Sequence, residues 1–121
     1  MARVTGPDFI ALQVRDLEAS ARFYEQRLGL KRVPQSPPGA VVFATEPIAF
    51  AVQEPLVDLG AVEKLGWGIA LWLAGDDAQA LHDSLEEASV PIAQEPFDSP
   101  FGRTFAFVDP DGYRVTVHDG G

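Results

Sequence analysis

The chain has 121 residues, 46% of them hydrophobic, with no cysteine and a formal net charge of −9. That length holds one domain or two small halves sharing a core, and the missing thiols exclude disulfides, thiolate nucleophiles and thiolate metal sites. So acidic a chain repels nucleic acid and favours cationic partners, and with no segment long enough to span a bilayer and no signal-peptide stretch in "MARVTGPDF", a cytoplasmic protein is expected.

Phe9 to Val14 alternates with period two, placing Ile10, Leu12 and Val14 on one face and Phe9, Ala11 and Gln13 on the other, as in a half-buried strand. Asp16 offers an N-cap. Leu17 to Leu28 then carries Leu17, Ala21, Tyr24 and Leu28 at helical spacing, flanked by Phe23, and Gly29 stands where a helix ends. Leu30 to Val33 predicts a short strand. "QSPPG" is turn chemistry. "AVVFAT" and "IAFAVQ" predict two more strands, split by Glu46-Pro47.

The same order then returns. Ile69, Leu71 and Leu73 alternate against Gly68, Ala70 and Trp72. Asp76 with Gln79 resembles a capping box, and Ala78 to Ala88 predicts a helix burying Leu81 and Leu85. His82, in mid-helix, is expected on the solvated side. Val90 to Gln94 predicts a short strand and "FDSPFG" a loop. "TFAFV" and "YRVTVH" predict strands joined by the tight turn Asp109-Pro110-Asp111-Gly112. Each half thus reads strand-helix-strand-strand-strand. The tripeptide Ile-Ala-Leu recurs at Ile10 and Ile69, opening the first strand of each half. The expected division is one domain over residues 1–121, as a first module (7–53), a linker (54–64) and a second module (65–119).

Two stretches, "FIALQVRDLEASARFYEQRLGLKRV" and "FGRTFAFVDPDGYRVTVHD", resemble the vicinal oxygen chelate superfamily, which includes glyoxalase I, extradiol dioxygenases, and fosfomycin- and bleomycin-resistance proteins. The resemblance covers nearly the whole chain. It implies an α+β fold: two tandem βαβββ modules forming a cupped mixed sheet, with the helices outside. It also implies a homodimer or tandem arrangement, with a site in the cup or at the junction of modules. In the enzymes of the superfamily four positions hold a divalent metal that acts as a Lewis acid on vicinal oxygens.

Matched one at a time, those positions carry no conventional ligand here. Seven residues before Asp16 stands Phe9; just before the second Ile-Ala-Leu stands Gly68; in the last strand stands Thr116; and Ala51 is the match in the first module's last strand. Divalent ions need imidazole, carboxylate or carbonyl donors in a fixed geometry. No metal and no other cofactor is expected.

Strand alternation leaves Phe9, Gln13, Ala51, Gly68, Trp72, Thr116 and His118 facing the cup. Small residues give volume and aromatics give flat apolar faces, the composition of a ligand pocket. Tyr113 is expected at its mouth, Arg103 at its rim, and Phe101, Phe105 or Phe107 as further apolar lining. Trp72 either stacks on a ligand or packs at a seam, and Trp67 is expected in packing or an interface. The reading leans against an enzyme and towards a metal-independent protein that binds a small molecule. Its ligand would be a cationic or aromatic antibiotic or drug, as in the bleomycin-resistance branch. The alternative is an enzyme of the superfamily, a lyase or isomerase, with an unusual or displaced site. A module for protein contacts would result if Phe9 and Trp72 fill the cup.

Overall fold

A computed structural model describes residues 2, 3 and 5–120, and the chain divides into two compact units, Met1–Leu59 and Gly60–Gly121. The first unit runs β1 (Phe9–Gln13), α1 (Leu17–Gln26), β2 (Ala40–Phe43) and β3 (Ala49–Gln53), and a 3-10 turn, Leu59–Ala61, follows. Its sheet has the order β1-β3-β2, with β1 parallel and β2 antiparallel to β3. Asp16 caps α1 as expected, its carboxylate accepting from the Ala19 N–H at 3.0 Å.

The core of this unit is an aromatic group on the helix side of the sheet. Tyr24 of α1 lies 5.2 Å from Phe50 and 6.3 Å from Phe43, ring centre to ring centre. Phe50 and Val52 therefore face α1, and Ala49, Ala51 and Gln53 face the other way. Each such ring contributes about 1.5–3 kcal/mol by leaving water.

The strand expected at Leu30 to Val33 shrinks to a single bridge between Arg32 and Phe43. Pro34, Pro37 and Pro38 follow at once and cannot donate to a ladder. The Arg32 side chain turns back to α1, where it meets Glu18 at 2.8 Å and Glu25 at 2.9 Å. That pairing holds the Glu18 carboxyl below its ordinary range, chiefly through the hydrogen bond.

The second unit runs β4 (Leu71–Ala74), α2 (Ala78–Glu87), β5 (Ile92–Ser99), β6 (Gly102–Val108) and β7 (Arg114–His118). The sheet order is β4-β7-β6-β5, with β4 parallel to β7 and the other pairs antiparallel. With the Arg32 bridge standing for a strand, both units follow the strand-helix-strand-strand-strand order. The architecture is α+β, two mixed sheets that each carry a helix on one face.

Four expectations change here. "FDSPFG" is not a loop: β5 continues to Ser99 and meets β6 through the two-residue turn Pro100-Phe101. Gly68 is not in a strand. Gly66 and Gly68 have φ of 74° and 96°, the Ile69 N–H bonds to the Gly66 carbonyl at 3.1 Å, and the strand begins only at Leu71. Ile69, expected to face the helix, is 80% exposed. The repeated tripeptide is consequently out of step with the repeated structure. The second N-cap is Asp77 and not the expected Asp76; with Asp16 as the first, Phe9 corresponds to Ala70 and Ala11 to Trp72.

His82 is the fourth correction, since it is 5% exposed and not solvated. Its ring lies edge-on to Phe105 at 5.5 Å, on the helix side of the sheet. Nδ1 is 2.9 Å from the Asp83 carboxylate, and Nε2 is 3.2 Å from Glu95 on β5 and 3.9 Å from Glu86. Burial pulls the imidazole pKa down, but the Asp83 hydrogen bond and the charges of Glu86, Glu95 and Asp83 outweigh it and leave it raised.

A folded-state pKa above the unfolded value of 6.5 means that protonation favours the fold. The contribution is full below that value and is lost as pH rises through the folded-state pKa. Denaturant melts across pH 6 to 9 should show stability falling in this window for the wild type and a flatter profile for His82→Gln. Equal slopes would show that His82 does not hold α2 to β5 by charge.

Candidate functional site

The face of the second sheet turned away from α2 carries the candidate site. Phe105 and Phe107 are fully buried on the helix side, so Thr104 and Ala106 point to the opposite face. Sheet register then aligns Trp72, Thr116 and Ala106 across β4, β7 and β6. His118 stands two residues past Thr116, opposite Thr104.

Three flat rings meet on this face. Trp72 is 5.7 Å from His118 and 5.8 Å from Phe101, and Phe101 is 6.3 Å from His118. Trp72 and Phe101 nevertheless remain 46% and 50% exposed. Aromatic edges and faces this close attract one another, and half-open rings leave apolar surface for a planar ligand. Phe101 completes the group only because its turn is pinned. Ser99 Oγ accepts from the Phe101 N–H at 3.0 Å, and the Phe101 carbonyl accepts from the Gly120 N–H at 2.7 Å.

Asp119 fixes the same corner. One carboxylate oxygen accepts from the Arg103 N–H at 2.9 Å and the other from the Ala78 N–H at 2.8 Å, in the first turn of α2. Gly102 lies so close to the Gly120 backbone that a Cβ would overlap it, and its φ of 90° also excludes most side chains.

The residues expected in the site separate under the structure. Trp72, Thr116 and His118 lie together on the open face. Arg103, expected at the rim, faces the helix side, where its Nε donates to Gln79 at 3.0 Å and Nη1 to Asp98 at 3.1 Å. Tyr113, expected at a pocket mouth, is buried, and a Cβ at Gly66 would press on its ring. Gly68 lies in the turn before β4, and Trp67 is 82% exposed instead of packed within the chain. In the first unit, Phe9, Ala11 and Ala51 lie on the sheet face away from α1, where Phe9 is exposed and Ala51 buried. Gln13 Oε1 accepts from the Leu56 N–H at 2.7 Å, tying β1 to the chain beyond β3.

The register also relates the expected metal-binding positions of the two units to one another. Ala11 pairs with Ala51 as Trp72 pairs with Thr116, so Ala51 and Thr116 are counterparts. Since Ala70, not Gly68, is the counterpart of Phe9, the set becomes Phe9, Ala51, Ala70 and Thr116. One hydroxyl and no imidazole or carboxylate do not fit a divalent ion. Among the described residues, the His-carboxylate group with ligand-like spacing is His82, Glu86 and Glu95. It sits on the helix side, and its atoms serve the ion pairs between α2 and β5.

The family model of the Glyoxalase/Bleomycin resistance protein/Dioxygenase superfamily matches residues 6–117. The chain belongs to this superfamily. No curated protein matches the sequence. Among solved structures, an antibiotic binding protein, TnmS3, from Streptomyces sp. CB03234 superposes with a TM-score of 0.73 at 20% identity, over 100% of both chains. A glyoxalase-related enzyme from Fulvimarina pelagi gives 0.74 at 22% identity, over 96% of this chain and 88% of the other. The fosfomycin resistance protein FosX from Mesorhizobium loti gives 0.71 at 21% identity, over 98% and 95%. At these identities the likeness is one of fold, and the superfamily joins binding proteins to enzymes.

Asp119→Ala removes two charge-assisted hydrogen bonds, at a cost of about 1.5–3 kcal/mol in chemical denaturation. It should also change the Trp72 emission spectrum by freeing the Phe101 turn. An unaltered spectrum would show that Asp119 does not position the rings.

Proposed function

We propose that the protein binds a small planar molecule, without a metal, against Trp72, Phe101 and His118. The observation that carries this reading is the three-ring group, half open on a sheet face whose matched metal positions hold no donor set. Planar rings gain about 0.5–1.5 kcal/mol per aromatic contact beyond the area they bury. The net charge of −9 favours a cationic ligand by long-range attraction. An antibiotic or drug with a cationic or aromatic body meets both conditions, and the fold shared with an antibiotic binding protein supports that class. Phe9, Gln13 and Ala51 belong to the proposed binding surface of the first module, and the two modules are proposed to serve one domain. Acid-base chemistry finds little support, because no carboxylate contacts His118 among the described residues.

Calorimetric titration with planar cationic aromatics tests the reading. In a Trp67→Phe background, whose remaining indole is Trp72, binding should quench the fluorescence. Trp72→Ala should weaken affinity roughly tenfold, and prior EDTA dialysis should leave it unchanged. Failure of every such compound to bind, or loss of binding after EDTA, would count against the proposal.

We also infer a homodimer. Trp67 and Ile69 project almost fully exposed from one glycine-rich turn, an apolar patch of the kind that a partner covers. Light scattering after gel filtration should give twice the 13.1 kDa chain mass, and Trp67→Asp with Ile69→Asp should give the monomer. A monomeric wild type refutes this inference.

A further inference from the structure

The orientation of His118 narrows the ligand class beyond planarity and charge. Its Nδ1 lies 3.0 Å from the Gly120 carbonyl and 3.3 Å from the Phe101 carbonyl. Both are pure acceptors, so Nδ1 must carry the proton. In the neutral ring Nε2 is then a lone-pair acceptor, and it has no hydrogen-bond partner among the described residues. The neighbouring carboxylate, Asp119, accepts from the N–H groups of Arg103 and Ala78. The two rings beside His118, Trp72 and Phe101, offer no acceptor, since an indole N–H only donates. This face therefore presents an imidazole acceptor against flat apolar walls, with the Thr116 hydroxyl two residues away on the same strand.

We infer that His118 makes the site select planar ligands bearing a hydrogen-bond donor, an N–H or O–H, at the ring edge. The inference rests on the small-molecule site proposed above. It makes His118 a specificity residue: the carbonyls of Phe101 and Gly120 fix its tautomer, and the ligand's donor completes it. A ligand whose edge is fully alkylated leaves the acceptor dehydrated and unpaired, which costs affinity even where stacking is unchanged.

Two phenothiazinium dyes separate these effects, because thionine and methylene blue share a planar ring and a single positive charge. Thionine carries amino N–H donors at its edge, and methylene blue carries dimethylamino groups in their place. By calorimetry, the wild type should bind thionine roughly tenfold more tightly than methylene blue. His118→Phe keeps a flat ring without the acceptor, so its two affinities should converge through loss of thionine binding alone. Equal affinities in the wild type overturn the inference and leave the binding reading standing. A preference for thionine that persists in His118→Phe also overturns it, by assigning the difference to the bulk of the methyl groups. Binding of neither dye to the folded wild type overturns both. If His118→Phe does not fold, His118→Leu supplies the acceptor-free comparison.

Discussion

The second unit depends on one carboxylate. Asp119 receives the N–H of Arg103 at the start of β6 and that of Ala78 in the first turn of α2, and it directly follows β7. Three elements thus converge on one side chain, and the Gly120 N–H, next along the chain, anchors the Phe101 carbonyl. A charge-assisted bond contributes about twice what a neutral one does. The close approach of Gly102 to Gly120 makes the corner rigid, because no side chain fits between them. The three-ring group depends on it: Trp72 and His118 come from strands fixed by the sheet, whereas Phe101 is on a turn that would otherwise be free to swing.

Much of the fold was legible because strand alternation and helix stripes are local signals. Tyr24 against Phe50 and the facing of Thr116 and His118 follow from periods of 3.6 and 2, and Asp16 is the cap expected, whereas the second cap is Asp77 and not the expected Asp76. Failures arose where a local signal was overridden. The repeated Ile-Ala-Leu marked both first strands, but the glycines at 66 and 68 hold a turn that delays the second strand, so the phrase is two residues out of structural register. Proline in "FDSPFG" reads as a loop, yet it falls in a two-residue turn that lets β5 and β6 pair almost to their tips. Phe101 was only one of three phenylalanines considered, since parity through a turn cannot be counted. Arg103 was misplaced for a similar reason: it belongs to the strand beyond that turn, on the helix side.

The composition of the proposed site favours one of two ways of gaining affinity. A metal site concentrates its energy in a few donors, and the matched positions here retain one hydroxyl. A stacking site distributes it over area, so Trp72 and Phe101 at roughly half exposure offer more than either would if fully packed. Charge adds range rather than strength. At physiological salt its influence fades over about 8 Å, so in the proposed binding it raises the local concentration of cations while the rings would set the residence time.

Comparison of the two units shows how a repeated fold diverges. Glu25 and Glu86 each stand nine residues after their N-cap aspartate, on the flank of the helix that meets the outer segment of the sheet. In the first unit that segment supplies Arg32, whose guanidinium binds Glu25 and Glu18 and stays charged at all ordinary pH. In the second unit the segment supplies a carboxylate, Glu95, and the positive charge comes from within the helix, as His82. One seam is held by a permanent cation and the other by a titratable imidazole whose pKa the surrounding carboxylates raise. The resulting difference in pH sensitivity belongs to the helix sides of the sheets. On the opposite face, His118 has no carboxylate partner among the described residues, and its Nδ1 faces backbone carbonyls. The second unit thus uses its two histidines differently, one among carboxylates on the helix side and the other held by backbone carbonyls on the open face.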